Sequence, residues 1–137
     1  MLSKKTKYGI KALTYLAKKE QRDPIPIAEI SKSENISLKF LESILLTLRK
    51  NELLGSKKGK GGGYYLLKEP SEIKMTVVMR ILEGPISMVP CVSLNFYKKC
   101  ADCPDENKCA VHNLMTELRD SSLEIFRNTT LADLCNC

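Results

Sequence analysis

The chain has 137 residues, a formal net charge of +6 at pH 7, six cysteines and a single histidine. This length allows one domain with a hydrophobic core and excludes two independent domains of ordinary size. No apolar run approaches the roughly 20 residues of a membrane span, and the N-terminal segment has a charge every few residues. We therefore expect a cytoplasmic protein whose thiols stay reduced.

The positive charge lies mostly in the first part of the chain. Residues 1–60 carry 14 Lys and Arg against 6 Asp and Glu, whereas residues 61–137 carry 8 against 10. A basic half joined to a near-neutral half is typical of a polyanion-binding module with an attached second function. A solvated lysine surface produces the same count, so the charge must be read together with the predicted elements.

Three helices are predicted in the basic half. Ser3 can cap the first, which runs to about Glu20, and a short second helix follows Pro26. Ser37 can cap the third, whose apolar residues recur at helical spacing at Leu41, Ile44, Leu45 and Leu48. The second and third helices, joined by a short turn, have the outline of a helix-turn-helix, whose second helix enters the DNA major groove by its N-terminal residues. A plain helical bundle is the alternative.

The segment LLGSKKGKGGGYYLLK, residues 53–68, predicts two strands joined by a glycine-rich turn. Directly after a helix-turn-helix, such a hairpin is the wing of a winged helix. A nucleotide-binding glycine loop is the rival interpretation, but these glycines lie between two strands and do not open a helix. We therefore predict a mainly α fold with a small β-hairpin wing.

Two groups of residues are candidate DNA contacts. The third helix presents polar and aromatic side chains beside its cap, and the wing tip combines lysines with glycines that let the backbone approach a sugar-phosphate chain. These candidates are Ser37, Lys39, Phe40, Glu42 and Ser43 on the helix, and Lys57, Lys58, Lys60 and Gly61 on the wing.

Two further helices are predicted in the second half. Thr76 can cap a fourth helix, with Val77 and Val78 on its inner side, which ends at Gly84 and Pro85. A long last helix follows His112, and its apolar seam is either monomer core or a coiled-coil-like face for a second subunit. We divide the chain into a winged-helix DNA-binding domain (1–83), a cysteine-rich loop (84–112) and a dimerisation helix with a C-terminal turn (113–137).

The segment CVSLNFYKKCADCPDENKCAVH, residues 91–112, concentrates the unusual chemistry. It contains Cys91, Cys100, Cys103, Cys109 and His112 among turn-forming polar residues that indicate a loop. Thiolates and imidazole are the ligands that zinc and iron–sulfur clusters prefer, so we predict a metal or cluster site. Cys135 and Cys137 lie near the C-terminus, where we expect a frayed end and no ligand role.

Other uses of these cysteines are weaker. A disulfide framework is typical of secreted chains, and buried structural thiols normally occupy apolar positions. A redox-active Cys100-x2-Cys103 would need a helix opening after a strand, and no nucleophile with base and orienter is visible, so we expect no enzyme. A structural zinc held by Cys100, Cys103, Cys109 and His112 stays open as the alternative to a cluster.

The chain resembles the IscR/NsrR-type family of winged-helix iron–sulfur transcriptional regulators in two stretches. One is the recognition helix and wing, ISLKFLESILLTLRKNELLGSKKGKGGGYYLLK, and the other is the CxxxxxCxxH run from Cys103 to His112. The resemblance covers nearly the whole chain. It implies a homodimer that is joined through the long helix at residues 109–127 and binds a palindromic operator. We expect this dimer to be a repressor whose DNA binding is controlled by a cluster.

The same resemblance implies that Cys91, Cys103 and Cys109 are thiolate ligands and that His112 is the histidine ligand of IscR-like members. The chain departs from IscR in having a longer gap between Cys91 and Cys103, which contains Cys100. Both His112 and Cys100 therefore stay open as the fourth ligand, and the cluster is either 2Fe-2S, as in IscR, or 4Fe-4S, as in NsrR-like members.

Overall fold

The computed structural model describes residues 2–20 and 22–136, which form six α-helices and one two-stranded sheet. The elements are α1 (Lys4–Ala17), α2 (Ile27–Glu34), α3 (Leu38–Lys50), β1 (Leu54–Lys57), β2 (Gly63–Leu66), α4 (Met75–Leu82), α5 (Ala110–Arg127) and α6 (Leu131–Cys135). This confirms the predicted mainly α fold with a β-hairpin. None of the helices in the described part of the chain is long and apolar enough to cross a membrane.

The first and third helices begin where their serine caps predict, and the second follows Pro26 as expected. The Ser3 hydroxyl accepts a hydrogen bond from the Thr6 amide at 3.2 Å, and the Ser37 hydroxyl accepts one from the Phe40 amide at 3.3 Å. Each bond satisfies one of the amides that a helix leaves unpaired at its N-terminus. The core between these helices consists of fully buried aliphatic side chains, including Leu13, Ile30, Leu41, Ile44, Leu45 and Leu48.

The hairpin is anchored to the linker between α1 and α2. Strands β1 and β2 pair antiparallel, and Tyr64 also exchanges two backbone hydrogen bonds with Ile25, at 2.8 and 2.9 Å. Gly63 has a φ of +150°, and a Cβ there would lie 2.1 Å from the Ile25 carbonyl oxygen. Only glycine allows the two backbones to approach so closely, so this residue sets where the hairpin leaves the helical core.

The start of α4 differs from the sequence prediction. The helix begins at Met75, and Thr76 is 6% exposed within its first turn, so Thr76 is not the cap. Val77 is 43% exposed and does not face the core. The reason is a backbone pairing: the Met75 amide donates to the Thr129 carbonyl at 2.9 Å, which fixes the entry of the chain into α4.

The C-terminal helix α6 packs against α1 and belongs to the same core. Leu131 is fully buried and Cys135 is 7% exposed, so the expectation that Cys135 lies at a frayed end is wrong. Thr130 and Asp133 form a capping box that begins this short helix. Cys137 lies outside the described residues.

A carboxylate ties the N-terminus of α1 to the C-terminus of α4. Glu83 follows the last turn of α4 and accepts hydrogen bonds from the Thr6 hydroxyl and, at 2.7 Å, from the Ser3 hydroxyl. The bond from Thr6 is the main cause that lowers the pKa of Glu83, since it favours the ionised form. Thr6 itself is fully buried, which makes its hydrogen bond part of the core.

We predict that Glu83→Gln lowers the free energy of unfolding by about 1–2 kcal/mol at neutral pH, because hydrogen bonds to a charged acceptor are lost. The native pKa of Glu83 lies below the unfolded value of about 4.3, so its contribution is present above that pH and is lost as the pH falls through the native pKa. The two unfolding curves should therefore converge in acid, as measured by urea denaturation across the acid range. The exposed Glu72→Gln variant is the control, and an equal loss there would contradict the assignment.

Candidate metal centre and nucleic-acid interface

Four of the predicted donors surround one pocket. Cys91, Cys103, Cys109 and His112, which we call the thiol site, line a cavity of about 820 Å³ beside the N-terminus of α5. Cys100 lines the same cavity. The 3-10 turn Pro90–Val92 contributes Cys91, the loop before the 3-10 turn Glu106–Lys108 contributes Cys103, and α5 contributes the other two.

Cys109 and His112 are held by the start of α5. The Cys109 thiol is the helix N-cap and accepts a hydrogen bond from the His112 amide at a sulfur–nitrogen distance of 3.5 Å. His112 therefore lies one turn into the helix on the same side as the Cys109 sulfur. The positive end of the helix dipole faces this position and favours a negatively charged ligand such as a thiolate.

Cys91 lies directly beside His112. The distance between the Cys91 Sγ and the His112 Nδ1 is 3.4 Å, which brings residues 21 positions apart into contact. The next residue, Val92, is 2% exposed, and its carbonyl oxygen accepts a hydrogen bond from Arg119 Nη1 at 2.7 Å. The structure thus brings one thiol and the imidazole into direct contact.

Cys103 lies close to Cys109 but on the loop. Burial of its thiol raises the pKa of Cys103, and the electrostatic interaction with the neighbouring Cys109 thiol raises it further. A metal ion bound here would need the thiolate form of this side chain, so the thiol would give up its proton on binding one. Metal uptake at this position should therefore be coupled to proton release.

Cys100 points to a different partner. It is exposed, and its thiol donates a hydrogen bond to Asp102 Oδ1 at 2.7 Å, which is the main cause of the raised pKa of Cys100. The same bond lowers the pKa of Asp102. Cys100 therefore lines the same cavity as the other donors, but its thiol is already engaged by Asp102.

Contacts within the loop were not anticipated from the sequence. The Tyr97 hydroxyl donates to Glu106, and the Lys98 amide donates to the Pro90 carbonyl at 3.2 Å, so the loop is closed on itself. The bond to Glu106 is the main cause of the raised pKa of Tyr97. Asp105 caps the following 3-10 turn through the Asn107 amide, a role that its residue type before a turn could have indicated.

The donors fit a soft metal group but do not enclose a single ion. A tetrahedral zinc with Zn–S bonds of about 2.3 Å needs its sulfur atoms within roughly 4 Å of one another. Within residues 2–20 and 22–136, no three His, Cys, Asp or Glu side chains are grouped closely enough to hold one ion. A zinc site made by Cys100, Cys103, Cys109 and His112 is therefore not seen. Three cysteines and a histidine around a wide cavity match the donor types of an iron–sulfur cluster.

The N-terminal half of α3 exposes most of its candidate DNA contacts. Ser37, Lys39, Glu42 and Ser43 are exposed on the free face of the helix. Phe40 is different, because it is half-buried and its ring meets Tyr8 edge to face at a centroid distance of 5.8 Å. Its ring therefore packs α3 against α1, a role that helical spacing alone did not indicate.

The wing presents unpaired positive charge. Lys57, Lys58 and Lys60 are exposed around the turn that joins β1 to β2, and Gly61, with a φ of +75°, lies exposed between them and β2. Among the residues that the structure describes, no carboxylate lies within ion-pair distance of these lysines or of Lys39. Lysines without internal partners on a protruding hairpin are available for phosphate groups.

Comparison with known proteins decides the family. A family model described as Rrf2, iron-dependent transcriptional regulator, matches residues 2–137. The chain belongs to the Rrf2 family of transcriptional regulators. It is 38% identical over 137 residues to an rrf2-like HTH-type transcriptional regulator of Rhodobacter capsulatus, with 98% of this chain and 91% of that protein covered. It is 33% identical over 135 residues to IscR of Serratia proteamaculans, with 98% and 79% covered.

Solved Rrf2-type structures share the fold. The global cysteine regulator CymR of B. subtilis superposes with a TM-score of 0.81 at 33% identity, covering 99% of this chain and 96% of that one. IscR of T. potens superposes with a TM-score of 0.78 at 26% identity, covering 99% and 86%. The winged-helix assignment is thereby confirmed, and the prediction that the protein is a regulator and not an enzyme agrees with its Rrf2 relatives.

Proposed function

We propose that this Rrf2 protein is a DNA-binding repressor whose operator affinity depends on an iron–sulfur cluster held by Cys91, Cys103, Cys109 and His112. The observation that carries the proposal is the convergence of these four donors on one cavity, with Cys91 Sγ 3.4 Å from His112 Nδ1. The similarity to IscR supports it. His112 is preferred to Cys100 as fourth ligand because the Cys100 thiol is bonded to Asp102.

The residues of the thiol site have separate tasks. Cys109 and His112 offer their side chains from the first turn of α5, and the 3-10 turn after α4 offers Cys91. A bound iron–sulfur cluster supplies sensitivity to iron and to oxidants. The loop residues between Cys91 and Cys109 then link the end of the winged helix to the start of α5.

The DNA contacts are proposed for α3 and the wing. Exposed side chains near the α3 N-terminus are suited to base edges, and the wing lysines are suited to phosphates. Because a transcriptional regulator must reach its DNA operator, we also infer a cytoplasmic location. There the cellular thiol pools keep cysteines reduced and available as ligands.

We predict that Lys58→Gln weakens binding to operator and random DNA alike and lowers the slope of log affinity against log salt by about one unit, because one phosphate contact is lost. Glu42→Ala should instead change the ranking of operator variants by about 1–3 kcal/mol, because base contacts carry specificity. Fluorescence anisotropy titrations at several salt concentrations measure both effects. Lys74→Gln, at an exposed lysine outside α3 and the wing, is the control, and identical behaviour of all three variants would contradict the assignment.

The proposed dimer uses the exposed side of α5. This 18-residue helix has one buried residue, Leu123, among the residues described, whereas Val111, Leu114, Leu118 and Ile125 are 42–64% exposed. These four lie on one stripe of the helix, and an apolar stripe of this length in water indicates an interface. A two-fold dimer would present two winged helices to the half-sites of a palindromic operator.

We predict that Leu118→Glu converts the dimer to a monomer, because two charges would face each other without solvent across a two-fold interface. Sedimentation velocity should show the change in mass, and circular dichroism should show that the helices persist. The matched control is Glu117→Gln, one position away on the exposed side of α5. An unchanged dimer in Leu118→Glu would rule out this face as the interface.

We predict that three variants, Cys91→Ala, Cys103→Ala and Cys109→Ala, each lose the visible absorbance at about 400 nm of anaerobically reconstituted protein, because each lacks one thiolate ligand. Operator affinity should change in the same samples. Cys100→Ser is the matched control and should keep the absorbance, whereas His112→Ala should shift or destabilise it. Iron and sulfide analysis distinguishes 2Fe-2S from 4Fe-4S.

Two outcomes would contradict the proposal in different ways. A colourless wild-type protein that takes up one zinc ion would replace the cluster with a structural metal. Alternatively, the wild-type protein could be coloured while the triple Cys91, Cys103, Cys109 variant binds every operator as tightly as the wild type does. That result would support the cluster but contradict its control over DNA binding.

A further inference from the structure

We propose that Arg119 is a positioning residue that holds Cys91 in the thiol site. The inference rests on the proposed function of that site, and it assigns a role to a residue that is neither a donor nor a DNA contact. Its basis is the hydrogen bond of 2.7 Å from Arg119 Nη1 to the carbonyl oxygen of Val92, the residue that directly follows Cys91.

One face of α5 contacts the Cys91 turn at two points. Arg119 lies seven residues after His112, which is about two helical turns, so both side chains leave the same side of the helix. His112 Nδ1 lies 3.4 Å from the Cys91 sulfur, and the guanidinium of Arg119 binds the backbone one residue further on. The bond from Arg119 therefore opposes rotation of the turn away from His112.

The guanidinium is itself held in place. The side chain of Arg119 is 16% exposed, and Asp120 Oδ1 accepts hydrogen bonds from its Nε at 3.0 Å and its Nη2 at 2.8 Å. These two bonds leave Nη1 directed at Val92. A charge-assisted hydrogen bond in a partly buried setting is stronger than an ordinary one, so the contact is suited to fixing a backbone position.

Burial and hydrogen bonds within the turn also restrain the segment after Cys91, but the bond from Arg119 is the one that joins its Val92 carbonyl to α5. Val92 is 2% exposed and Ser93 is 5% exposed, so the turn is anchored by burial. Among the described residues, Arg119 is the only donor of a hydrogen bond to the Val92 carbonyl. Removing the Arg119 side chain therefore leaves a buried acceptor unpaired. A buried unpaired carbonyl favours opening of the turn towards water, which would carry Cys91 away from His112.

The test compares Arg119→Ala with Arg119→Lys, which keeps a charged donor, and with Arg127→Ala, which removes an exposed arginine from the same helix. In metal-free protein, hydrogen exchange of the Val92 and Ser93 amides reports opening of the turn, because both amides donate within it. We expect faster exchange at these two amides in Arg119→Ala, partial recovery in Arg119→Lys, and no change in Arg127→Ala.

In reconstituted protein the second readout is the rate at which an iron chelator bleaches the visible absorbance. Loss of a residue that orients a metal ligand typically weakens the site by about 10–100-fold, and we expect bleaching to accelerate by a factor in this range in Arg119→Ala. The visible circular dichroism of the remaining chromophore should change as well, since the surroundings of one ligand differ.

The two arms separate failure of this inference from failure of the proposed function. If wild-type protein forms no chromophore, the proposed function fails, and the exchange arm still decides whether Arg119 holds the turn. If Arg119→Ala exchanges and bleaches like wild type, the positioning role is overturned. Should Arg119→Ala not fold, Asp120→Asn replaces it, because it leaves Arg119 in place and weakens only the carboxylate that orients it; unchanged exchange there also overturns the proposal.

Discussion

The cap that Cys109 provides to α5 fixes several features at once. Because the helix begins at Ala110, His112 and Arg119 face the Pro90–Val92 turn, while the stripe that contains Leu118 lies on another side. A shift of the α5 register against this turn by one residue would rotate both sides by about 100° and separate the imidazole from the Cys91 thiol. The donor group and the exposed apolar stripe are thus set by the same helix register.

This shared register gives a physical route between the thiol site and the rest of the molecule. Helix α5 contacts α4, which follows the wing, and α4 is tied to α1 through Glu83. Ordering of the donors can change DNA affinity only where the ordered state favours one arrangement of the winged helices over another. A helix that carries both part of the donor group and the exposed apolar stripe is an element on which such a preference can act.

The sequence predicts most of the fold because local signals dominate there. Serine caps, helical periodicity and the glycine turn locate α1 to α3 and the hairpin to within a few residues. The start of α4 is missed because it depends on a backbone pairing with Thr129, more than fifty positions away. Cys135 is misjudged for a related reason, since its burial against α1 is a tertiary contact. The donor residues are apparent from composition, but the bond between Arg119 and Val92 leaves no signal in the spacing of residue types.

The donors differ in how far the protein orders them in advance. Cys109 and His112 are placed by a helix start, and Cys91 by a buried turn that α5 contacts twice. Cys103 lies on the loop, restrained by burial and by the bond between Tyr97 and Glu106 that closes the segment around it. Preorganised groups lose little entropy when they bind, so in the proposed site the ordering cost of binding a metal group would fall mainly on this loop segment. The longer gap between Cys91 and Cys103 is therefore the part of the chain where a change in loop order has most influence on the stability of the site.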